Sequence, residues 1–241
     1  MALFKGIRGA RGLYDVSSAK GDKYKLPSVT TILGMYKDPD LEKFFKEVSK
    51  EDQKSITANA ANRGTAMHQF LENYAVAYKH TKDKVKALLY TQKKTPHQIS
   101  EFTERQRDTG MDFFYHLYHS EFTEEMQTPI VIEGLMVSLK NKYAGRTDLV
   151  YGDQLNRIVV SDYKSSGKKL NERSFKVVKF KLQLAAYMNA YEEMTGQKVH
   201  EGVVWVGHPT GYQKFVLHKT EYPIYLSHFL ALRHEYEINH S

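Results

Sequence analysis

Hydrophobic residues recur at helical spacing through the first half of the chain. Apolar side chains three or four positions apart share one side of a predicted helix from about residue 55 to 80, and another long helix is predicted to open at Thr95 and Pro96. The apolar positions of the first of these helices are Ala60, Met67, Phe70, Leu71 and Tyr74. Two shorter helices are predicted ahead of them, one capped by Ser28 and one beginning at Pro39. The pattern therefore predicts a mainly helical N-terminal portion.

In the second half the pattern changes to short runs rich in β-branched residues. Three runs, "IVIEGLMVSLKN", "YAGRTDLVYGD" and "RIVVSDYKSS", are separated by turn-forming residues and predict strands. A helix from about 175 to 195, closed by Gly196, then two further strands and an amphipathic helix follow. We therefore predict an α/β (α+β) fold, in which helices flank a central mixed β-sheet. A single domain is expected over residues 1–241, mainly helical over 1–125 and containing the sheet over 126–241.

The charge of the chain favours a polyanionic partner. The 35 Lys and Arg residues exceed the 28 Asp and Glu residues, which gives a net charge of +7. The basic start, with Lys5, Arg8 and Arg11, is interpreted as a flexible arm that touches phosphates. A mitochondrial transit peptide is the minority alternative, because the glycines in this segment would weaken the amphipathic helix that such a peptide needs. We therefore expect a cytoplasmic protein, in the host cytoplasm if a phage encodes it.

Three absences exclude whole classes of site. The chain has no cysteine, so it cannot hold an iron–sulfur cluster through thiolates, a cysteine-based zinc site or a cysteine nucleophile. No apolar stretch approaches the roughly 18 residues of a membrane span, so no membrane is expected as a partner. The phosphate-binding Gly-x-x-x-x-Gly-Lys-Ser/Thr motif is also absent, which excludes an ATP-driven helicase of that type.

Charged residues interrupt the second and third predicted strands. Asp148 lies in one strand, and Asp162 and Lys164 lie two positions apart on one face of the next. Neighbouring carboxylates repel each other unless a cation joins them, and oxygen ligands suit Mg²⁺. The hairpin therefore predicts a metal site, with the ammonium group beside it. The alternative is a structural salt bridge between Asp162 and Lys164.

Further motifs surround this hairpin in a fixed order. "LPSVTTIL" and "NRGTAMHQFLENY" precede the Gly-Arg-x-Asp and Asp-x-Lys strands, and "KLQLAAYMNAY" follows with Gln183 and Tyr187 one helical turn apart. Together, over about residues 26–190, these elements resemble the PD-(D/E)XK nuclease superfamily, and in particular its RecB-type exonuclease branch. The resemblance implies a restriction-endonuclease-like core, with a helical portion that forms a channel or arch for a strand end.

The resemblance also implies roles for individual residues. His68, Asp148, Asp162 and the backbone carbonyl of Tyr163 would bind Mg²⁺, which Mn²⁺ would replace, and Lys164 would be the catalytic lysine beside these acids. Residues implied or expected to contact nucleic acid are Gln183, Tyr187, Arg146, Thr147, Lys168, Lys169, Lys176 and Lys179. The four lysines belong to a basic run next to the proposed site, where phosphate contacts are expected.

The activity that the resemblance implies is metal-dependent hydrolysis of DNA from its ends. Such an exonuclease would act in DNA recombination, repair or replication processing, encoded by a phage or by a cell. The alternatives are a structure-specific or restriction-like endonuclease and a DNA-binding module that does not cleave. DNA with free ends or single strands is the expected partner, together with a recombinase or single-strand-annealing protein. Strand preference, polarity and oligomeric state are left open.

Overall fold

A five-stranded mixed sheet forms the centre of the protein, whose computed structural model describes residues 4–240, apart from the side chains of Arg11 and Asp40. The strands lie side by side in chain order. Only β6 and β7 run parallel; the other neighbours are antiparallel. The strands are β4 Thr128–Ser138, β5 Tyr143–Gly152, β6 Ile158–Ser165, β7 Glu201–His208 and β8 Gly211–His218. The predicted α/β fold with a mixed sheet is thus confirmed.

Helices cover both faces of this sheet. In chain order they are α1 Val29–Ile32, α2 Pro39–Glu47, α3 Lys50–Thr81, α4 Lys84–Gln98, α5 Glu104–Tyr118, α6 Phe122–Glu125, α7 Phe175–Thr195 and α8 Tyr222–His240. One apolar core joins the sheet to α7 and α8, and a second joins it to α3 and α5. Within the described residues, no helix is both long and apolar enough to cross a membrane.

Helix α7 connects the two parallel strands. The Ser174 side chain accepts a hydrogen bond from the Val177 N–H at its start, and Gly196 ends it in the left-handed conformation with φ 70°. Most of its length is buried because it lies between the sheet and α8, and this explains an apolar character on nearly all sides. The crossover brings polar residues of α7 against the middle of β6.

The first 27 residues differ from the expected flexible arm. They contain a three-stranded antiparallel sheet, with β1 Phe4–Arg8, β2 Leu13–Ser18 and β3 Lys23–Pro27. Tyr14 and Val16 alternate inward on β2 and pack in a small core that includes Ala144 of β5. The arm prediction was wrong because it weighed the basic residues and glycines and overlooked this alternation. The portion over 1–125 is therefore not helical throughout, and residues 1–3 of it lie outside the described part. The assignment of a single domain stays a prediction.

The helices before the central sheet also begin and end differently from the prediction. Pro96 lies inside the last turn of α4 and does not open a helix. The next helix, α5, begins after Thr103, whose side chain and that of Gln106 form a reciprocal capping box. Because proline has no backbone N–H, Pro96 cannot donate to the carbonyl four residues before it, and α4 ends two residues after it. The basic segment from Lys79 to Lys94 lies mostly within α3 and α4.

Candidate active site

The β5–β6 hairpin holds two buried carboxylates side by side. Asp148 is 8% exposed and Asp162 only 2% exposed. Oδ2 of Asp148 accepts a hydrogen bond from the backbone N–H of Tyr163 at 2.5 Å, and Asp162 forms an ion pair with Lys164. Continuing the strand register by one pair beyond Leu149 and Ser161 places the two acids opposite each other. The hairpin thus brings together the three residues that the sequence selected.

Two helices complete this arrangement from opposite faces of the sheet. Nδ1 of His68, on α3, lies 3.6 Å from Oδ1 of Asp148. On α7, the Gln183 side chain donates to Oδ1 of Asp162 at 3.3 Å and also to the Tyr187 hydroxyl at 3.0 Å. A single helical turn separates these two residues, so they face β6 together. Their contacts hold one oxygen of Asp162 in place.

Glycine at position 145 allows α7 to approach the site closely. A Cβ atom at Gly145 would lie 2.6 Å from Cε1 of Tyr187, which is too close for any other residue. The first residue of the Gly-Arg-x-Asp motif, Gly145, is therefore needed for packing, and its last residue, Asp148, supplies the carboxylate. The ring of Tyr187 can lie directly against β5 only because this side chain is missing.

A cavity of about 340 Å³ opens onto these groups. Six of the predicted residues line it: Arg146, Asp148, Asp162, Lys164, Gln183 and Tyr187. His68 is half-buried and lies next to these residues through its contact with Asp148. The cavity also receives Arg8 from β1 and Thr30 from α1, which the sequence had not placed there. The structure thus gathers the predicted carboxylates, lysine and α7 pair around one opening.

Other predicted contacts lie outside this cavity. Thr147 has no exposed surface, and its hydroxyl donates to the backbone oxygen of Ser161 at 3.0 Å. This burial corrects the expected phosphate contact of Thr147, because a fully buried side chain cannot touch DNA. Lys168, Lys169 and Lys176 are exposed and stay predictions. Lys179 is half-buried and donates to the backbone oxygen of Tyr36 at 3.3 Å, and its role also stays a prediction.

Comparison with known proteins identifies the family of this chain. The family model described as the PD-(D/E)XK nuclease superfamily matches residues 42–223, which is most of the chain. The protein belongs to this superfamily. None of the curated proteins matches the chain.

Two solved structures are similar to this PD-(D/E)XK nuclease. A candidate exonuclease from Eubacterium rectale is 14% identical, with a TM-score of 0.45, and the match covers 71% of this chain and 63% of that one. The chain thus spans less than two thirds of that protein's length. The protein SSO0001 is 13% identical with a TM-score of 0.31, and 64% of this chain and 70% of that chain are covered. The family membership follows from the matched family and not from these two likenesses.

The charged groups of this nuclease site perturb one another strongly. Burial, and then the neighbouring Asp148 carboxylate, raise the pKa of Asp162. Burial alone would also raise the pKa of Asp148, but His68, Lys164 and the Tyr163 N–H outweigh it and hold the pKa below its usual value. The acids in turn raise the pKa of Lys164 against the effect of burial. The site therefore favours positive charge, since the acids hold Lys164 there as a cation.

Glu133 is a member of this site that the sequence reasoning missed. It lies on β4 with φ 49°, lines the cavity, and has a pKa raised to about 7 by burial and by the Asp148 carboxylate. Ligand atoms of His68, Glu133 and Asp148 all lie within 4.8 Å of one another. The available signal was an acid within the apolar run "IVIEGLMV", the same kind of signal that selected Asp148.

The raised pKa of Glu133 predicts a stability effect that depends on pH. The folded protein binds the Glu133 proton more tightly than the unfolded chain, so this group's contribution to stability is lost as the pH rises from about 4.5 to 7. Glu133→Gln removes the charge. We expect it to raise the Tm of metal-free protein at pH 8 by roughly 2–8 °C, equivalent to about 1–2 kcal/mol because the side chain keeps some solvent contact.

Thermal unfolding in chelator at two pH values checks this effect. At pH 5 the rise should be much smaller than at pH 8, because Glu133 of the folded wild type is then mostly protonated. An equal rise at both pH values would show that the burial of a charge is not its cause.

Proposed function

We propose that the protein is a Mg²⁺-dependent DNA exonuclease that hydrolyses phosphodiester bonds from DNA ends, with Mn²⁺ able to replace Mg²⁺. The observation that carries the proposal is the convergence of Asp148, Asp162 and Lys164 on one open cavity in a member of a nuclease superfamily. A structural salt bridge alone would not require a second buried acid beside the ion pair, or a cavity above it. The Gln183–Tyr187 element of the RecB-type branch favours an exonuclease over an endonuclease.

The donor atoms at the site fit a divalent cation. Asp148 and Asp162 offer carboxylate oxygens, the Tyr163 backbone offers a carbonyl oxygen, and His68 offers a ring nitrogen, a set that suits Mg²⁺ or Mn²⁺. When bound, the ion would supply Lewis-acid charge and lower the pKa of water. The hydrogen bond from Gln183 to Asp162 orients one of these carboxylates toward the cavity.

Lys164 acts in this proposal as a fixed positive charge. The neighbouring carboxylates raise its pKa, so the ammonium group stays protonated at neutral pH. It therefore donates hydrogen bonds and does not act as a base. Lys164 lines the cavity and its Nζ pairs with Asp162, beside the place where the phosphate of the substrate would lie. It can therefore stabilise the negative charge that grows on the phosphate oxygens during hydrolysis.

Two arginines on the cavity wall supply further phosphate contacts. Nη2 of Arg8 donates to the Thr30 hydroxyl at 3.2 Å, and Nη1 of Arg146 donates to the Glu133 backbone oxygen at 2.9 Å. These bonds position the guanidinium groups and leave other N–H donors of each free to meet phosphate. Arg8 comes from the sheet of β1–β3, which lies before the residues that match the family model, and it lines the cavity together with Thr30.

The biological setting that we propose is DNA recombination, repair or replication processing in the cytoplasm, including that of a phage-infected cell. A recombinase or a single-strand-annealing protein would be the partner. The basic run that contains Lys168, Lys169, Lys176 and Lys179 would extend the phosphate contacts beyond the cavity.

Linear and circular DNA distinguish this activity from its alternatives. With Mg²⁺, end-labelled single- and double-stranded DNA should be shortened from its ends, and circular DNA should stay intact. Cutting of circles would indicate an endonuclease, and binding without any cleavage would indicate a DNA-binding module. Asp162→Asn serves as the inactive control, and chelator should stop the wild-type reaction.

A further inference from the structure

A second cavity, of about 480 Å³, lies where α3 and α5 meet the loop that follows β6. Arg63 of α3 and Arg105 of α5 line it, and Gly167 of that loop and Pro209 of the turn after β7 complete its wall. The residues that line this arginine pocket are different from those that line the cavity of the candidate active site. The pocket is therefore a separate feature of the surface.

The arginine pocket carries positive charge that lacks a partner. Arg63 is half-buried, and its Nε is fully buried with no hydrogen-bond partner among the described residues. Burying a polar group without a hydrogen bond costs free energy, and the cost is larger for a charged group. The described lining of the pocket contains two arginines and one acid, Asp112. The pocket therefore favours an anionic ligand that accepts hydrogen bonds.

Contacts between α3 and α5 fix the walls of the arginine pocket. The Gln106 side chain donates a hydrogen bond to Oδ1 of Asn59 at 2.7 Å, and both residues line the pocket. Further along the two helices, a Cβ atom at Gly110 would lie 2.5 Å from Cβ of Ala66, so the helices touch there. The arginines thus project from two helices whose spacing is set before any ligand binds, which lowers the cost of binding.

The loop side of the pocket lies close to the proposed catalytic lysine. Lys164 and Gly167 are three residues apart, so their Cα atoms are separated by about 11 Å at most. Arg63 precedes His68 by five residues on α3, which is about 7.5 Å along the helix axis. Successive phosphates of one strand are about 3.4 Å apart along the axis of duplex DNA. A strand with its scissile phosphate beside Lys164 therefore has another phosphate within reach of the pocket.

We propose that the arginine pocket binds a backbone phosphate of the DNA strand that is cleaved, a few nucleotides away from the scissile bond. The planar fork of the Arg63 guanidinium matches two phosphate oxygens, and Arg105 adds a second charge from the other helix. A phosphate contact positions the strand and carries no sequence information. The inference rests on the proposed function, since the phosphate belongs to its substrate.

The salt dependence of DNA binding tests the pocket without using activity. Binding of a labelled single-stranded oligonucleotide is measured by fluorescence anisotropy in chelator, with Asp162→Asn as the parent protein. Adding Arg63→Gln should raise the Kd about tenfold and lower the slope of log Kd against log salt by about 0.7, the value for one phosphate contact. Arg105→Gln, at an exposed side chain, should also lower the slope.

Lys198→Gln is the matched control for these two substitutions. It removes one positive charge from an exposed position between α7 and β7, away from both cavities, so the Kd and the slope should equal those of the parent. Thermal unfolding should give Arg63→Gln the same Tm as the parent, because the Nε of Arg63 has no hydrogen bond to lose.

Neutral methylphosphonate linkages locate the contact on the DNA. When they replace the phosphates one at a time, one position a few nucleotides from the scissile bond should weaken binding by the parent. The same replacement should have no further effect on Arg63→Gln, because the two changes remove opposite sides of one contact. That position would give the distance in nucleotides between the catalytic lysine and the pocket.

Two results would overturn the phosphate site: a slope that Arg63→Gln and Arg105→Gln leave unchanged, and a methylphosphonate profile that is the same with and without Arg63. Cleavage of labelled DNA by the wild type is measured in parallel. Cleavage together with an unchanged slope would reject the pocket and keep the nuclease, whereas absence of both DNA binding and cleavage would reject the two proposals together.

Discussion

Lys164→Met should lower DNA cleavage by about 10²–10⁴-fold while the protein stays folded. Methionine keeps the length of the side chain but removes the ammonium group that faces Asp162 and the cavity. Without it, charge that develops on the phosphate loses its nearest fixed donor. The effect should appear in kcat more than in KM, because the contact strengthens in the transition state. Single-turnover cleavage of end-labelled DNA measures it.

Lys198→Met is the matched control for this substitution. Lys198 is exposed in the segment between α7 and β7, away from the cavity, so its loss should leave the cleavage rate unchanged. Cooperative thermal unfolding of both variants shows that each is folded. If Lys164→Met cleaves within about threefold of the wild type, the lysine is structural, and the ion pair with Asp162 explains its presence.

The hairpin of the site was predictable because strand geometry is local. Side chains alternate on a strand, so the spacing of Asp162 and Lys164 by itself puts both on one face. Their neighbour Asp148 required only the register of a short hairpin, which the turn between the strands sets. The spacing of Gln183 and Tyr187 likewise put both on one side of α7. In each case one element, or two adjacent ones, carried the information.

The parts that were missed depend on contacts between distant segments. Glu133 enters the site only because β4 pairs with β5 in one register, and its left-handed φ breaks the regular alternation that a sequence pattern assumes. Arg8 reaches the cavity only because β1–β3 pack against the central sheet. Thr147 was included by mistake. Because it is next to Asp148 in the sequence, its side chain points to the other face of the strand.

The buried acids of the site set stability against activity. Burial raises the pKa of both Glu133 and Asp162, so their ionised forms lower the stability of the metal-free protein. A bound cation would relieve this cost, so Mn²⁺ should stabilise the wild type by mass action. Such a site is costly to the fold and useful only when ions bind, as is common where function and stability compete.

Asp148→Asn should be the most damaging substitution in the site, because Asp148 lies between His68 on one side and Asp162 on the other. Asparagine keeps the shape and an acceptor for the Tyr163 N–H, but it removes the charge that Mn²⁺ or Mg²⁺ would meet. We expect cleavage to fall by about 10³-fold or more and Mn²⁺ binding to be lost.

Asp153→Asn separates this chemical effect from a structural one. Asp153 lies at the far end of the same hairpin, is buried to the same 8% exposure as Asp148, and pairs with Arg157 at 2.7 Å. Its substitution should lower the stability by about 1 kcal/mol through the lost ion pair and turn contacts, with Mn²⁺ binding and cleavage retained. Asp148→Asn should give the reverse pattern, with the fold kept and both functions lost. If Asp148→Asn binds Mn²⁺ as the wild type does, this acid is not a ligand, and the proposed metal site is wrong.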